Sequence, residues 1–365
     1  MPAGSANITV THTLGELLSK LLAARDLNRD EATQLVHALL APETPDPQIA
    51  AALALLAAKG ENPEELAGFA DALYERVLPV EIPSQLLDTA GTGASKVKTF
   101  NISTAASFVI AAAGCAIAKH GARASTSQSG SADVLASLGV RVDCAPQTAV
   151  RSLNELGICF LFAPQYHPAL ARVAAIRRAL GFRTTFNLVG PMVNPCRAQY
   201  RLLGVADQAR LSDVAGALAL IGVARAWVLR GGDGLDEITT ARATRVIEVR
   251  EGQSNQLVSV APKDFGIAES PIDAARAGSV EHNAAMVRAV LTGQRRDVAR
   301  DLVVLNAAAA LHVRTGDALL DCAARAQRAI DEGAALAKLE AMIALTQAAG
   351  GAAQAAQGAA EGVKR

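Results

Sequence analysis

The sequence predicts an α/β protein in which a small N-terminal helical domain is joined to a larger domain built on a mostly parallel sheet. Three observations lead there. Apolar residues recur at helical spacing between residues 13 and 80. From Leu86 onward, short apolar runs alternate with helical stretches, the order that produces a parallel sheet covered by helices. The stretch from Leu86 to Leu138 reads as strand, glycine loop, helix, strand and a second loop rich in hydroxyls and cations.

In the first domain Leu14, Leu17, Leu18 and Leu21 share a helix face, and Asn28-Arg29-Asp30-Glu31 offers a cap before Ala32 to Leu40. Gln48 to Ala58 is a short apolar helix stopped by Gly60, and Asn62-Pro63-Glu64-Glu65 starts another that runs to Arg76. Pro79, Glu81 and Pro83 form the linker. The expected division is a flexible segment at 1–12, the helical domain at 13–80, the α/β domain at 81–345 and a low-complexity tail at 346–365. The Ala, Gly and Gln composition from Ala348 onward predicts disorder.

The central stretch carries the chemistry. The apolar run Leu86-Leu87 enters the loop Gly91-Thr92-Gly93-Ala94-Ser95, and Asn101-Ile102-Ser103-Thr104 then opens a helix with Ala105, Phe108, Val109 and Ala112 on one face. Glycines let the backbone approach a bulky anion, and the free N–H groups of a helix start carry partial positive charge. The run Cys115 to Ala118 delivers Lys119-His120-Gly121-Ala122-Arg123, followed by Ser125, Thr126, Ser127, Ser129 and Ser131. In a parallel βαβ unit both loops lie at the carboxyl ends of neighbouring strands, where open α/β sheets bind ligands. Neither a Gly-Lys-Ser/Thr ending nor a Gly-x-Gly-x-x-Gly fingerprint is present.

Further along, Gly139 to Val142 reads as a strand, Pro146 to Leu156 as a helix, Cys159 to Phe162 as a buried strand, and His167 to Leu180 as a helix ending at Gly181. Ala224 to Leu229 is a strand that leads into Asp233-Gly234-Leu235-Asp236-Glu237; residues 242–262 read as short strands and 275–345 as helix. Carboxylates as close as Asp233, Asp236 and Glu237 repel, and a divalent cation relieves the repulsion; Mg²⁺ is usually held by one or two carboxylates together with substrate phosphates. His120, between Lys119 and Arg123, is biased neutral and is a base or a positioning residue. His167 caps or anchors a loop. Arg177 and Arg178 form a solvated face or an anion fork, a role for which Arg183 competes.

Composition sets limits. Hydrophobic residues make up 51% and aromatics only 3%, so Ala, Leu and Val must fill the core. Lys plus Arg equals Asp plus Glu at 35 each, which argues against a nucleic-acid partner and makes any basic site local. The five cysteines show no metal-ligand or CxxC spacing and read as buried thiols of a reducing compartment. With no basic-then-apolar leader and no apolar run of bilayer length, the expected location is the cytoplasm, away from any membrane. No Ser/His/Asp order or His-Glu-x-x-His supports acyl transfer or zinc hydrolysis.

The segments Gly91-Thr92-Gly93, Asn101-Ile102-Ser103-Thr104, Lys119-His120-Gly121, Gly130-Ser131-Ala132-Asp133-Val134-Leu135, Phe186-Asn187-Leu188-Val189-Gly190-Pro191 with Asn194-Pro195, and Asp233-Gly234-Leu235-Asp236-Glu237 resemble, in order and spacing, the anthranilate phosphoribosyltransferase family. The likeness spans about residues 14 to 345 and includes Leu305-Asn306-Ala307-Ala308. It implies the fold shared with nucleoside phosphorylase-like proteins, a homodimer, and Mg²⁺-dependent transfer of a phosphoribosyl group from 5-phosphoribosyl 1-diphosphate to a small aromatic amine, the anthranilate step of tryptophan biosynthesis.

By position, the resemblance gives Gly91, Ala94, Ser95, Thr99, Asn101, Ile102, Ser103 and Thr104 to the sugar diphosphate. Lys119, His120, Gly121, Arg123 and Ser127 cover the same ligand from the second loop. Gly91, Ala122 and Arg177 go to the acceptor, with Arg177 meeting its carboxylate, and Ser103, Asp236 and Glu237 go to magnesium. No catalytic acid, base or nucleophile is assigned; Lys119 and His120 position the transition state.

Three departures from the family pattern bear on activity. Ala94-Ser95 replaces Gly-Asp, which removes a carboxylate near the diphosphate, and Lys96 follows. Ala122 replaces the Asn that would contact anthranilate, a loss of about 1–3 kcal/mol for a pocket hydrogen bond. Ser125 and Gln128 replace a hydrophobic residue and a lysine. Alternatives therefore remain: a relative with another aromatic amine or heterocycle as acceptor, a nucleoside phosphorylase-like activity, and a non-catalytic ligand- or nucleic-acid-binding paralogue.

Overall fold

A computed structural model describes residues 12–362 except 79, 81–84, 94, 96 and 125–128. The linker residues Pro79, Glu81 and Pro83 and the 1–11 segment lie outside the described residues, as do two of the site assignments, Ala94 and Ser127.

Four helices form the N-terminal bundle: α1 (Leu14–Leu22), α2 (Arg29–Leu40), α3 (Asp46–Lys59) and α4 (Pro63–Arg76). Reciprocal caps set three of the starts. Thr13 with Glu16, Asn28 with Glu31 and Asn62 with Glu65 each exchange side-chain and backbone bonds, and Pro63 occupies a first-turn position where its missing N–H costs nothing.

The second domain runs β1 (Leu87–Gly91), α5 (Ile102–Ala112), β2 (Ile117–Gly121), α6 (Ser131–Ser137), α7 (Pro146–Leu156) and β3 (Ile158–Phe162). It continues with α8 (Ala163–Tyr166), α9 (Ala171–Leu180), α10 (Thr185–Val189), β4 (Tyr200–Gly204), α11 (Leu211–Leu220) and β5 (Arg225–Gly231). The hairpin β6 (Thr244–Arg250) and β7 (Gln253–Val260) precedes α12 (Val280–Leu291), α13 (Val298–Thr315), α14 (Leu319–Asp331) and α15 (Ala334–Gly362). The sheet order is β3-β2-β1-β4-β5-β6-β7; β1 to β5 are parallel and β6 and β7 antiparallel. The chain winds outward from β1 to β3, returns to β4 on the other flank of β1, and so creates a switch point at the carboxyl ends of β1 and β4.

Two large apolar clusters cover most of the sheet's faces, and a smaller third one packs against β2 and β3. Phe108, Val109, Leu302 and the run Ala307 to Ala310 belong to one, and the other joins Leu35, Leu53 and Phe69 of the bundle to Leu203, Val214 and Val228 of the sheet side. The bundle thus packs on the sheet domain through one continuous core. Small side chains let the helices sit close, as the aromatic-poor composition requires.

The structure departs from the sequence reading in several places, and helices α8, α10 and α11 are also missing from that reading. Gly139 to Val142 is a turn and not a strand: Val140 and Val142 are buried, but they plug the core as loop residues with no strand beside them among the described residues. The helix read from His167 is interrupted by a tight turn at Pro168–Leu170, and α9 starts only at Ala171. β4 is absent from the sequence reading, because Arg201 interrupts its apolar pattern. Helix α15 continues to Gly362 where disorder is expected, in keeping with the high helix propensity of Ala and Gln. All five cysteines are unpaired, and among the described residues no helix is long and apolar enough to cross a membrane.

Candidate active site

The switch point is made by two glycines side by side. Gly91 ends β1, Gly204 ends β4, and the two stand opposite each other in register. Asp236 occupies the space their missing side chains leave: a Cβ on Gly204 would lie 1.6 Å from the Asp236 carbonyl oxygen, and one on Gly91 would lie 2.9 Å from Asp236 Oδ2. The acidic turn after β5 is thereby lowered onto the strand ends.

From there the glycine loop is pinned on every side. Thr92 N–H donates to Gly204 O (2.9 Å), and Gly93 N–H donates to Asp236 Oδ2 (3.1 Å). Ser95 Oγ donates to Gly234 O (2.8 Å), so this buried hydroxyl braces the loop. Arg183, a competitor for the anion fork in the sequence, donates to the carbonyls of Thr92 and Gly93 and so straps the loop.

The start of α5 faces the second carboxylate. Ser103 N–H donates to Glu237 Oε1 (3.1 Å) and Thr99 Oγ1 lies 3.4 Å from Glu237 Oε2. Phe100 N–H to Ala275 O and Ala277 N–H to Lys98 O hold residues 98–100 against 275–277. The Asn101 side chain accepts from Ser129 Oγ (2.9 Å) and Asn283 Nδ2 (3.4 Å), and Ile102 is fully buried, so Ile102 offers only its backbone. Among the described residues the buried Thr104 hydroxyl Oγ1 has no hydrogen-bond partner.

Lys119, in the middle of β2, is buried and donates to Thr89 O (2.8 Å) and Ser103 Oγ (3.2 Å). Desolvation pulls its pKa down, against the charges of Asp88 and Glu237. Arg123 pairs with Asp133 (3.1 Å), which also accepts from Ala124 and Gly130 N–H and so closes the base of the second loop. Ala122 is exposed beside Gly121. Among the described residues the buried Arg177 Nε has no hydrogen-bond partner; its guanidinium sits 5.5 Å from the Phe186 ring centre, and burial alone lowers its pKa.

Asp233 separates from its neighbours. It accepts from Thr239 Oγ1 (2.7 Å) and Leu235 N–H (3.1 Å), which shapes the turn. Asp236 and Glu237 are the pair left facing the loops, and burial raises both; Glu237, also repelled by Asp236, is pushed up to about 8. Two half-buried carboxylates at the start of α5, one of them bonded to the Ser103 N–H, are hard oxygen donors that fit Mg²⁺. Among the described residues no group of three or more His, Cys, Asp or Glu is placed to hold a metal ion by itself.

One contact escaped the sequence reading: His167 packs on His120, ring centres 5.3 Å apart, and among the described residues neither Nε2 has a hydrogen-bond partner. Its signal is position, just past the carboxyl end of β3. Burial lowers both pKa values, so both rings are held neutral. A group depressed in the folded state contributes stability that is present above its ordinary pKa and lost as pH falls below about 6.5. The expected result is that the thermal midpoint of the protein falls more steeply between pH 7 and 5.5 than that of His120→Asn/His167→Asn. Each excluded proton contributes up to about 1.4 kcal/mol per pH unit. Taking the difference between the two proteins removes the opposing slope of the buried carboxylates; equal slopes would contradict the burial argument.

The comparisons with known proteins agree over nearly the whole chain. The helical bundle domain of the glycosyl transferase family matches residues 15–77, and the a/b domain of that family matches residues 83–336. Anthranilate phosphoribosyltransferase of Thermomicrobium roseum is 45% identical over 340 residues, covering 92% of this chain and 97% of that protein. The enzyme of the same name from Myxococcus xanthus is 45% identical over 333 residues, covering 91% and 98%. Among solved structures, anthranilate phosphoribosyltransferase from Thermus thermophilus superposes with a TM-score of 0.85 at 36% identity, covering 91% of this chain and 99% of that one. The Saccharomyces cerevisiae enzyme in complex with PRPP and Mg gives 0.83 at 26% identity, covering 93% and 99%. Identity at this level, over both domains and nearly the full length of the relatives, places the chain in the anthranilate phosphoribosyltransferase family.

Proposed function

We propose that this chain transfers the phosphoribosyl group of 5-phosphoribosyl 1-diphosphate to the amine of anthranilate, releasing diphosphate with the help of Mg²⁺. The observation that carries the reading is the convergence of the glycine loop, the start of α5 and the Asp236–Glu237 pair on one switch point. Mg²⁺, when bound, neutralises charge on the departing diphosphate. Asp236, Glu237 and Ser103 would hold it. The glycine loop and the start of α5 would lie against the phosphates, and the Lys119 ammonium would offset negative charge in a site where burial strengthens its field. Arg177 orients the acceptor through its carboxylate, so that the amine meets the sugar carbon already aligned.

The test is an acceptor screen read by diphosphate release. Anthranilate is expected to give the highest kcat/KM among aromatic amines and heterocycles; a higher value for another acceptor would replace the substrate and leave the donor. Ala122 bears on this, because its methyl group offers the acceptor no hydrogen bond. Ala122→Asn is expected to lower the KM for anthranilate by about tenfold, the worth of one pocket hydrogen bond. An unchanged KM would remove Ala122 from the acceptor site. The reading extends to a cytoplasmic homodimer: five unpaired thiols suit a reducing compartment, and Leu22 stands 76% exposed at the end of α1 as an apolar contact for a second copy. Sedimentation at micromolar concentration checks the dimer.

A further inference from the structure

β1 is in register with β4 along all five residues and β2 with β3 likewise, but among the described residues β1 faces β2 in register only at Leu87 and Ile117. Beyond that pair, side chains take over the work of the ladder. Asn194 Nδ2 donates to Ala118 O (2.7 Å) and to Asp88 Oδ2 (2.8 Å); His120 N–H donates to Asp88 Oδ1 (3.3 Å); Lys119 Nζ donates across to Thr89 O (2.8 Å). Peptide groups that a closed ladder would pair with each other are satisfied here by a carboxylate, an amide and an ammonium.

The wedge is anchored from behind. Asp88 and Arg201 are each only 2% exposed and lie 3.9 Å apart. Arg201 donates to the Tyr74 hydroxyl (2.9 Å), which donates to Met192 O (2.9 Å), so the last helix of the bundle touches the same network. A buried ion pair is a costly way to gain stability, since apolar side chains of the same volume serve as well or better. Its use lies in geometry.

We propose that Asp88 is a positioning residue that holds the carboxyl ends of β1 and β2 apart, so that the charged groups of the sugar diphosphate enter between Thr89–Gly91 and Lys119–His120. This rests on the phosphoribosyl-transfer reading above. Asp88 touches no substrate; it acts through the β2 end and Lys119.

The experiment compares the wild-type chain with Asp88→Leu/Arg201→Met, which removes both charges together and spares the fold an unpaired one. Thermal midpoint, calorimetric affinity for 5-phosphoribosyl 1-diphosphate with Mg²⁺, and steady-state kinetics are measured on each. The expected result is a weakening of donor affinity and a rise in donor KM of about tenfold or more, with kcat and the anthranilate KM within about threefold. A double variant that is folded and keeps the wild-type donor KM overturns the proposal, because a purely structural role moves the midpoint and not the KM of the folded fraction. Should the double variant not fold, Asn194→Ala is read in the same way, with a donor KM expected to rise about fivefold and an unchanged one counting against the wedge. A wild-type chain that binds no donor overturns the phosphoribosyl reading and this proposal with it; donor binding retained by wild type and variant alike overturns the wedge alone.

Discussion

Replacing Asp236 and Glu237 together by Ala is expected to lower Mg²⁺-dependent turnover by at least about 1,000-fold, the scale of removing a group that stabilises developing charge. The pair performs two tasks at once. Its oxygens supply the carboxylates that face both the glycine loop and the α5 start, and they accept from Gly93 N–H and Ser103 N–H, which orients the loop and the helix start. The same burial makes the pair expensive. Glu237 at about 8 binds a proton in the folded protein that the unfolded chain releases from about 4.5 upward, so metal-free stability declines as pH rises through that window. Glu237→Gln abolishes the penalty and is expected to stabilise the metal-free protein at pH 7 by on the order of 3 kcal/mol while impairing turnover. Thermal unfolding and diphosphate release on the same preparation check both. A variant that is fully active, or one no more stable than the wild type, would remove the pair from its assigned role.

Gly204→Ala is the second large effect. A methyl group there would sit 1.6 Å from the Asp236 carbonyl oxygen, a distance no repacking of side chains relieves, so either β4 or the acidic turn must move. We expect a stability loss of about 3 kcal/mol or more and a fall in kcat/KM of about 100-fold, because the displaced turn carries the two carboxylates to which magnesium binding is proposed. Gly91→Ala provides the contrast. Its methyl group would meet the tip of the Asp236 side chain at 2.9 Å, which yields more readily, and the loss of stability is expected to be smaller than at Gly204. Chemical denaturation with Mg²⁺ titrations distinguishes the two; equal, mild effects would mean that Asp236 does not depend on the paired glycines.

Local signals are legible in the sequence and tertiary ones are not. The bundle helices announce themselves through caps three residues apart, and α7 begins at its proline, as read. The glycine loop, the α5 start, the cation cluster and the acidic turn are readable because each couples a strand end to residues with exposed donors or charges. β4 escapes because a buried arginine looks like a surface residue until its partner is known, and Asp88 lies on a different strand. Gly204 has no local peculiarity; what makes it indispensable is the carbonyl of Asp236, in a turn beyond the next strand. The same holds for His167, whose partner His120 stands on β2, far earlier in the chain. Gly139 to Val142 fails in the opposite direction: alternating valines are a strand pattern, but with no neighbouring strand they serve only to bury a turn.

One cleft is held to bring an activated sugar diphosphate, magnesium and an aromatic amine together. The most direct test mixes the protein with Mg²⁺, 5-phosphoribosyl 1-diphosphate and anthranilate and follows anthranilate fluorescence and diphosphate in the same sample. Fluorescence is predicted to fall as diphosphate appears in equal amount, and both changes to stop when the metal is chelated. Diphosphate release that proceeds unchanged in chelator, or none at high protein concentration, would contradict it.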